Sequence, residues 1–435
     1  MTGNIPPHGL DSPSPFALAG MGALAIAMGI GRFAFTPLLP MMLHDGVLDL
    51  GGASWLASAN YLGYLIGALL CTAQPWLWRL LERARPPDGA RMVRSGLVAT
   101  TLLTLAMATP WQAAWAWWRL AAGVASAVVF VFTSSWCLAQ LAARQAGPLG
   151  GVIYTGPGLG IVLSGLIASA LVAIQSPAWV GWIVFGCLAA LLTGAVWRRF
   201  LPEASVHPST LKPSQAGQEA QTRNATRGAI EASAAPGAPG KLNTPGSAGT
   251  MELAMLAVGY GMAGFGYIIT ATFLPVIART ALPGSTWLDL FWPLLGLGII
   301  AGALLATRLR PDGDARLRLC ACFVVQALGV VACLISPTLA GFALGSLLLG
   351  LPFTAITFFA MQEARRLRPQ SAASYMGLLT ALYGLGQIAG PPLAATLIVR
   401  TGSATAGFAL ALEAAAGTLL VGAAIFGVMA KAFRH

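Results

Sequence analysis

Long apolar runs separated by short polar breaks follow one another along the chain, with one extended polar interruption near its middle. Each run approaches the roughly 20 apolar residues that a helix needs to cross a bilayer. The ten-residue alternating segments typical of outer-membrane β-barrels do not occur in the sequence. The runs predict twelve membrane helices, over residues 17–43, 51–74, 92–109, 111–140, 150–175, 178–197, 251–278, 285–307, 317–335, 339–362, 374–399 and 405–430.

The composition agrees with a membrane location for these helices. Of the 435 residues, 57% are hydrophobic and only 9% are charged. A soluble domain carries about 25% charged residues, because these residues cover much of its surface. We therefore predict an all-α integral membrane protein with twelve transmembrane helices.

The polar interruption divides the predicted helices into two sets of six. Residues 201–250 are rich in Pro, Ala, Ser, Gly, Gln and Thr and contain few large apolar residues. Such a segment cannot bury enough surface to order itself, which predicts a flexible cytoplasmic linker. The expected organisation is a cytoplasmic N-terminal tail, a first six-helix half, the linker, a second six-helix half and a cytoplasmic tail, at 1–16, 17–200, 201–250, 251–430 and 431–435.

The two halves carry a common pattern of glycines. Gly29 and Gly67 recur as Gly264 and Gly302, and the two pairs have the same separation along the chain. Further matches follow at a slightly shorter separation, among them Gly160 with Gly386. Because each half has an even number of helices, the halves are expected to run parallel, related by an axis along the membrane normal, around a central cavity. Superimposing the halves is expected to bring these glycine pairs together.

Lys and Arg residues are distributed very unevenly over the polar breaks. With both termini cytoplasmic, 21 of the 25 Lys and Arg residues lie on the cytoplasmic side and two, Arg279 and Arg400, on the other. This asymmetry follows the positive-inside rule and predicts that orientation in the plasma (inner) membrane. Because topology accounts for the formal net charge of +11, we expect no nucleic-acid partner.

The sequence offers little support for enzymatic chemistry. The four His residues lie outside the apolar runs, and the six Cys residues form no CxxC pair. No P-loop word, His-rich cluster or Ser-His-Asp constellation is present. We therefore expect no enzyme, no cofactor and no metal site.

Several sequence words resemble the major facilitator superfamily. Arg119-x-x-x-Gly123 is similar to its motif B, and residues 154–160, YTGPGLG, are similar to motif C, a word associated with exporters of the antiporter type. The words GIGRFAFTPLLP at 29–40 and NYLGYLIG at 60–67 resemble the YbfB/YjiJ branch. Only remnants of motif A occur, at 88–91 and 312–316. The motif C residues are Gly156, Pro157 and Gly160.

The resemblance implies a secondary active transporter that works by alternating access of its two halves. We expect a monomer in the lipid bilayer that exports a small organic, anionic solute and is coupled to protons. A uniporter and a non-transporting membrane sensor on the same fold are the alternatives. The resemblance leaves the identity of the solute open.

Charged residues inside the predicted helices are the first site candidates, because a charge at bilayer depth costs several kcal/mol, about 2.5–3.5 on insertion scales. Arg32 and Arg119 lie at similar depth, and no acidic residue falls inside a first-half helix. The pair therefore favours an anion site. The alternative is that each arginine caps backbone carbonyls or pairs with an acid from the second half. Candidates for the coupling step are Arg119, Asp289 and Glu413.

Neutral polar residues complete the candidate site. Tyr267 is notable among them because it occupies the repeat position equivalent to Arg32, at the separation that relates Gly29 to Gly264. Each such residue taken alone more often makes an interhelical hydrogen bond than a ligand contact. The predicted substrate-binding residues are Arg32, Thr36, Asn60, Tyr64, Arg119, Tyr267, Tyr383 and Gln387.

Overall fold

The computed structural model describes residues 12–80, 88–146, 149–200, 247–285, 287–309, 313–368 and 372–433. Regular structure in these residues is helical. We number its long helices α1 to α12 in chain order: Ser14–His44, Leu50–Leu80, Gly89–Ala106, Gln112–Ala143, Gly150–Ala173, Ala178–Trp197, Ser247–Ala281, Phe291–Arg308, Ala315–Ile335, Leu339–Leu367, Ala372–Thr401 and Ala404–Ala432.

The all-α membrane class is confirmed, and the helices lie where the apolar runs predict them. Eleven helices in the described residues are long and apolar enough to cross a membrane. The exception is α3, because Arg91 and Arg94 occupy its first turns and lower its mean hydropathy. Most of the predicted linker lies outside the described residues, and α7 begins at Ser247.

The two ends of the helix bundle differ in charge. One end, which we call the arginine-rich end, holds the start of α1 and the end of α12; the opposite end is the far end. The far end carries Arg279 and Arg400. Described basic residues at the arginine-rich end are Arg91, Arg94, Arg144, Arg198, Arg199, Arg308, Arg316, Arg318, Arg365, Arg366, Arg368 and Lys431.

The repeated glycines make close contacts between helix backbones. A Cβ added to Gly29 in α1 would lie 2.3 Å from the Gly160 Cα in α5. The equivalent contact recurs in the second half, where a Cβ on Gly386 in α11 would lie 3.1 Å from the Gly264 carbonyl carbon in α7. Small residues allow such backbone approach, which is a main source of cohesion between helices in lipid. The glycine pattern therefore marks equivalent helix contacts in the two halves.

We expect Gly160→Ala to lower the melting temperature of the detergent-purified protein. The added methyl group would lie 2.4 Å from the Ala25 carbonyl oxygen and 2.6 Å from the Gly29 Cα, and backbone cannot move aside cheaply. Overpacking of this kind costs about 1–3 kcal/mol.

Gly417→Ala in α12 is the matched control for that substitution. Gly417 is exposed, and an added Cβ would meet no atom within 4 Å. Because alanine favours helix by about 1 kcal/mol over glycine, this variant should melt at the same or a higher temperature. Equal melting temperatures for the two variants would contradict the proposed role of the Gly29–Gly160 contact.

Candidate functional site

The first helix departs from α-helical geometry at its centre, where the candidate Arg32 lies. A π-helical turn covers Ala25–Ile30, and the N–H groups of Gly31 and Phe33 donate to carbonyls five residues earlier, at 2.8 and 3.2 Å. The Thr36 N–H then donates to the Phe33 carbonyl, so the Arg32 carbonyl lacks the donor that a regular α-helix supplies. Turns of this kind are frequent at functional sites.

Arg119 of α4 stabilises this break. Its Nη1 donates to the Gly31 carbonyl at 3.2 Å and its Nη2 to the Arg32 carbonyl at 3.1 Å. The guanidinium also lies 5.0 Å from the centre of the Phe35 ring. Of the roles that the sequence leaves open for Arg119, the structure therefore shows the capping of backbone carbonyls. This differs from the expectation that Arg119 and Arg32 present two free cations to one anion.

Arg32 connects the two halves through a chain of hydrogen bonds. The residue is 3% exposed, and its Nη2 donates to the Gln387 Oε1 of α11 at 2.6 Å. The Gln387 amide in turn donates to the Tyr267 hydroxyl of α7. Since Tyr267 is the repeat equivalent of Arg32, the two matching positions of the halves are joined by one glutamine side chain.

Aromatic rings of the first half surround the Arg32 guanidinium. Its central carbon lies 4.1 Å from the ring centre of Tyr64, 5.3 Å from that of Tyr61 and 5.2 Å from that of Phe33. A cation over an aromatic face gains about 0.5–2 kcal/mol, more when water is excluded. These rings help to keep a positive charge inside the bundle.

The second half adds its own rings to the same region. Tyr383 stacks on Tyr260 and on Tyr267, with ring centres 4.9 and 5.9 Å apart. Phe353 packs edge-on against Tyr267 at 5.0 Å, and Trp292 packs against Phe33 at 6.2 Å. The Arg32–Gln387–Tyr267 chain is thus enclosed by aromatic residues from both halves.

Among the residues that the structure describes, no carboxylate pairs with Arg32 or Arg119. Asp289, a candidate for the coupling step, is paired with Arg279 near the far end. Glu413, the other acidic candidate, is exposed on α12. The ion pair that the sequence leaves open for Arg32 is therefore not formed with either acid.

Two further predicted residues hold helices together instead of facing Arg32. The Thr36 hydroxyl donates to the Ala271 carbonyl at 3.0 Å, a contact between residues that are 235 positions apart and so equivalent in the repeat. The Asn60 amide donates to the Arg119 carbonyl at 2.8 Å and links α2 to α4. Of the eight predicted residues, the structure brings five into one network: Arg32, Tyr64, Tyr267, Tyr383 and Gln387.

The network is sealed on the side of the far end. Three hydrogen bonds cross between the halves there: Thr36 to Ala271, Tyr61 to Thr272 at 2.9 Å, and Ser58 to the Ile388 carbonyl at 3.1 Å. On the side of the arginine-rich end, the side chains Tyr64, Phe265 and Tyr383 are partly exposed.

A small cavity adjoins the network. It has a volume of about 10 Å³ and is lined by Phe33, Tyr267, Trp292 and Phe353, among others. That volume holds about one water molecule. Arg32 itself is 3% exposed, so its side chain is shielded from water in this structure.

The motif C residues pack α5 against its neighbours. Gly156 lets the backbone approach the Met21 carbonyl, from which an added Cβ would lie 2.3 Å, and Pro157 follows in the first turn of the helix. Gly160 makes the contact with Gly29 described above. These residues bring α5 close to the α1 segment that precedes Arg32.

A second charged cluster joins the helix ends of the second half. Arg316 of α9 is 5% exposed and lies 3.1 Å from Glu252 of α7 and 3.0 Å from Asp314. Its guanidinium also donates to the backbone carbonyl of Phe433 at 2.8 Å. Arg366 of α10 bridges Glu252 and Glu363, at 3.0 and 2.6 Å. We call Glu252, Asp314, Arg316, Glu363 and Arg366 the ionic cluster.

Asp314 shows the electrostatic effect of this cluster outside the membrane-spanning segments. Burial by itself raises the pKa of the Asp314 carboxyl, but hydrogen bonds from Arg316 and the Arg316 charge outweigh it, so the pKa is lowered. A carboxylate with a lowered pKa stabilises the fold at neutral pH, and this contribution is lost as the pH falls through the lowered pKa.

The sequence analysis did not predict several residues of the Arg32 network and of the ionic cluster. Tyr61, Phe33, Trp292 and Phe353 sit in apolar runs, where aromatic residues are ordinary membrane-facing or core residues. Tyr61 lies three residues before Tyr64, a spacing that places both on one helix face. That spacing is the sequence feature from which Tyr61 could be predicted as a site residue. Asp314 and Arg316 of the ionic cluster lie in the second motif A remnant, but Glu252 and Glu363, the other partners of Arg316, come from separate helices.

Comparisons with known proteins agree with this architecture. The profile of the family described as "Uncharacterised MFS-type transporter YbfB" matches residues 24–240 and 228–427. A search of curated protein sequences gives no significant match. Among solved structures, 273 chains match significantly. One is a crystal structure of the nucleoside transporter NupG in a mutant form, which is 14% identical, with a TM-score of 0.66 over 95% of this chain and 99% of that chain.

Proposed function

The chain belongs to the family of MFS-type transporters described by YbfB and is a multi-pass membrane transporter, and we propose that it moves a small organic anion across the membrane. Arg32 carries this proposal. It is a buried cation between the two halves, and within the described residues its side chain contacts neutral groups, the Gln387 amide and aromatic rings such as Tyr64. An intramembrane charge without a counter-charge is costly, which favours a binding role over a structural one.

Alternating access of the two halves is the mechanism that we propose. The halves meet at Arg32, Gln387 and Tyr267, so a solute bound there contacts both. The hydrogen bonds on the side of the far end close the structure in one direction. Opening that side requires breaking the Thr36–Ala271 and Tyr61–Thr272 contacts while the opposite side closes.

The orientation, the direction and the coupling are further parts of the proposal. The arginine-rich end supports a plasma (inner) membrane protein with cytoplasmic termini, so that the structure is closed to the outside. Motif C supports export and proton coupling in a monomer. Asp289 and Glu413 remain candidates for the coupling step, although neither adjoins Arg32.

Purified protein in liposomes with an internal pH dye distinguishes this proposal from its alternatives. We expect a gradient of a transported organic anion, tested with a panel that includes acetate, succinate and benzoate, to change the internal pH. Empty liposomes give the background, because small acids cross lipid unaided in their neutral form.

A uniporter would instead give an electrical current with no pH change. A sensor would bind an anion, seen as a rise in melting temperature, without a pH change or a current. Transport of a neutral solute such as uridine, with no response to any anion, would refute the anion proposal.

A further inference from the structure

We propose that the Arg32 site takes an aromatic monocarboxylate, and that the carboxylate of this ligand replaces the Gln387 side-chain carbonyl on Arg32. This inference rests on the proposed function, because it names the class of anion that the site recognises. Four observations support it: the number of available cations, the partner that Arg32 has in the closed structure, the unpartnered donors, and the rings that enclose them.

The site offers one available cation. Both Nη atoms of Arg119 are held by the carbonyls of Gly31 and Arg32, at 3.2 and 3.1 Å. Arg32 is the remaining cation at this level of the bundle in the described residues. A dicarboxylate would bring a second negative charge into an apolar region with no cation to meet it, and burying an unpaired charge is expensive. The charge balance therefore favours one carboxylate.

Gln387 occupies the position that we assign to the ligand carboxylate. Its Oε1 accepts from the Arg32 Nη2 at 2.6 Å, and the residue is 1% exposed. An amide oxygen and a carboxylate oxygen have similar size and geometry. The bond to Gln387 has one charged partner, whereas a carboxylate adds the opposite charge and can accept two parallel N–H bonds from the guanidinium, so the exchange favours the ligand.

Buried donors on Arg32 itself and on a residue that lines the small cavity have no partner among the described residues. They are the Arg32 Nε and the Trp292 Nε1. Trp292 lines the small cavity and packs against Phe33, the neighbour of Arg32. Leaving a buried donor unpaired costs about 1–3 kcal/mol. A carboxylate has two acceptor oxygens, which suits a site with unpartnered hydrogen-bond donors.

The surroundings of Arg32 select the rest of the ligand. Rings from both halves enclose the network and carry no charge, among them Phe33, Tyr61 and Tyr64 of the first half and Tyr267, Phe353 and Tyr383 of the second. Aromatic pairs in stacked or edge-on geometry gain about 0.5–1.5 kcal/mol beyond the area that they bury. A planar aromatic body is therefore favoured over an aliphatic one of the same size.

The exchange links binding to movement of the halves. The cavity of about 10 Å³ is far too small for an aromatic ring, so the ligand enters only when the network opens. Displacing Gln387 from Arg32 breaks the direct bond between α1 and α11. Gln387 also bonds Tyr267, so its release loosens the contact with α7.

Calorimetric titration of the full-length protein in detergent tests the ligand class. The probes are benzoate, cyclohexanecarboxylate, isophthalate and benzamide, which change in turn the ring, the number of charges and the charge itself. We expect benzoate to bind at least about tenfold more tightly than each of the others, since each lacks one feature that the site recognises. Equal binding of cyclohexanecarboxylate or isophthalate would refute this inference and leave the anion transporter intact.

Substitution of Gln387 tests the exchange itself. Gln387→Leu removes the internal competitor for Arg32, and we expect it to tighten benzoate binding by about tenfold. A merely structural glutamine would give unchanged or weaker binding.

The matched control is Gln326→Leu. Gln326 is also a buried glutamine, but its amide donates to the Leu349 carbonyl in the second half, at 3.3 Å, and the substitution should leave benzoate affinity unchanged. Gln387→Glu supplies a fixed carboxylate to Arg32 and should abolish binding while the melting temperature is retained. If benzoate binding survives Arg32→Met, or if no carboxylate binds the wild-type protein, the proposed function itself fails.

Discussion

Arg32→Met is expected to abolish transport of the organic anion without lowering the melting temperature. Arg32 is 3% exposed and carries a charge that, in the described residues, meets only an amide and aromatic rings. Removing the guanidinium removes the group that binds the ligand. It also removes the cost of keeping an ion out of water, which is several kcal/mol per ion in real proteins. Liposome flux and a thermal melt in detergent measure the two effects.

Arg32→Lys separates charge from geometry at the same position. The planar guanidinium donates two parallel hydrogen bonds to a carboxylate, whereas an ammonium acts as a compact point charge. Losing one charge-assisted hydrogen bond of about 1.5–3 kcal/mol lowers transport by about tenfold to a hundredfold. Wild-type flux in Arg32→Met, or a large loss of stability in that variant, would show that Arg32 is a structural cation.

Arg316→Met is expected to have the opposite effect on stability. Arg316 is 5% exposed, much like Arg32, but it contacts the carboxylates of Glu252 and Asp314. Removing one partner from a buried ion cluster leaves uncompensated charge and costs about 3–5 kcal/mol. We expect a clear fall in melting temperature, together with a raised Asp314 pKa because the Arg316 hydrogen bonds that lower it are gone.

The control for this substitution is Arg91→Met at the start of α3. Arg91 pairs with Asp88 at 3.4 Å, but its side chain is 75% exposed. Exposed pairs of this kind contribute roughly 0–1 kcal/mol, so the melting temperature should hardly change. A fall in Arg91→Met as large as that in Arg316→Met would mean that burial of the ionic cluster does not determine its contribution.

The position of Arg32 inside a helix and its equivalence to Tyr267 could be predicted from the sequence, because both follow from run lengths and from the constant separation of the repeated glycines. The hydrogen bond between Arg32 and Gln387 could not, since the two residues are 355 positions apart. The residue spacing within α1 or α11 does not determine how each helix is rotated about its axis, and that rotation decides whether Arg32 faces Gln387. The role of Arg119 was open for the same reason: its partners exist only because α1 changes to π-helical geometry at Ala25–Ile30.

The sequence by itself determined the membrane class, the helix positions, the unequal charge of the two ends and the repeated glycines. These properties depend on the hydropathy and charge of consecutive residues. A bilayer accepts long apolar runs and excludes charged segments, so these local quantities are enough to predict them. Only the tertiary structure decided which buried arginine is bonded to carboxylates and which is not. That choice depends on the side chains that packing brings within about 3 Å, and hydrogen bonds weaken steeply outside such geometry. Arg316 therefore lies among carboxylates, while Arg32 lies against Gln387 and Tyr64.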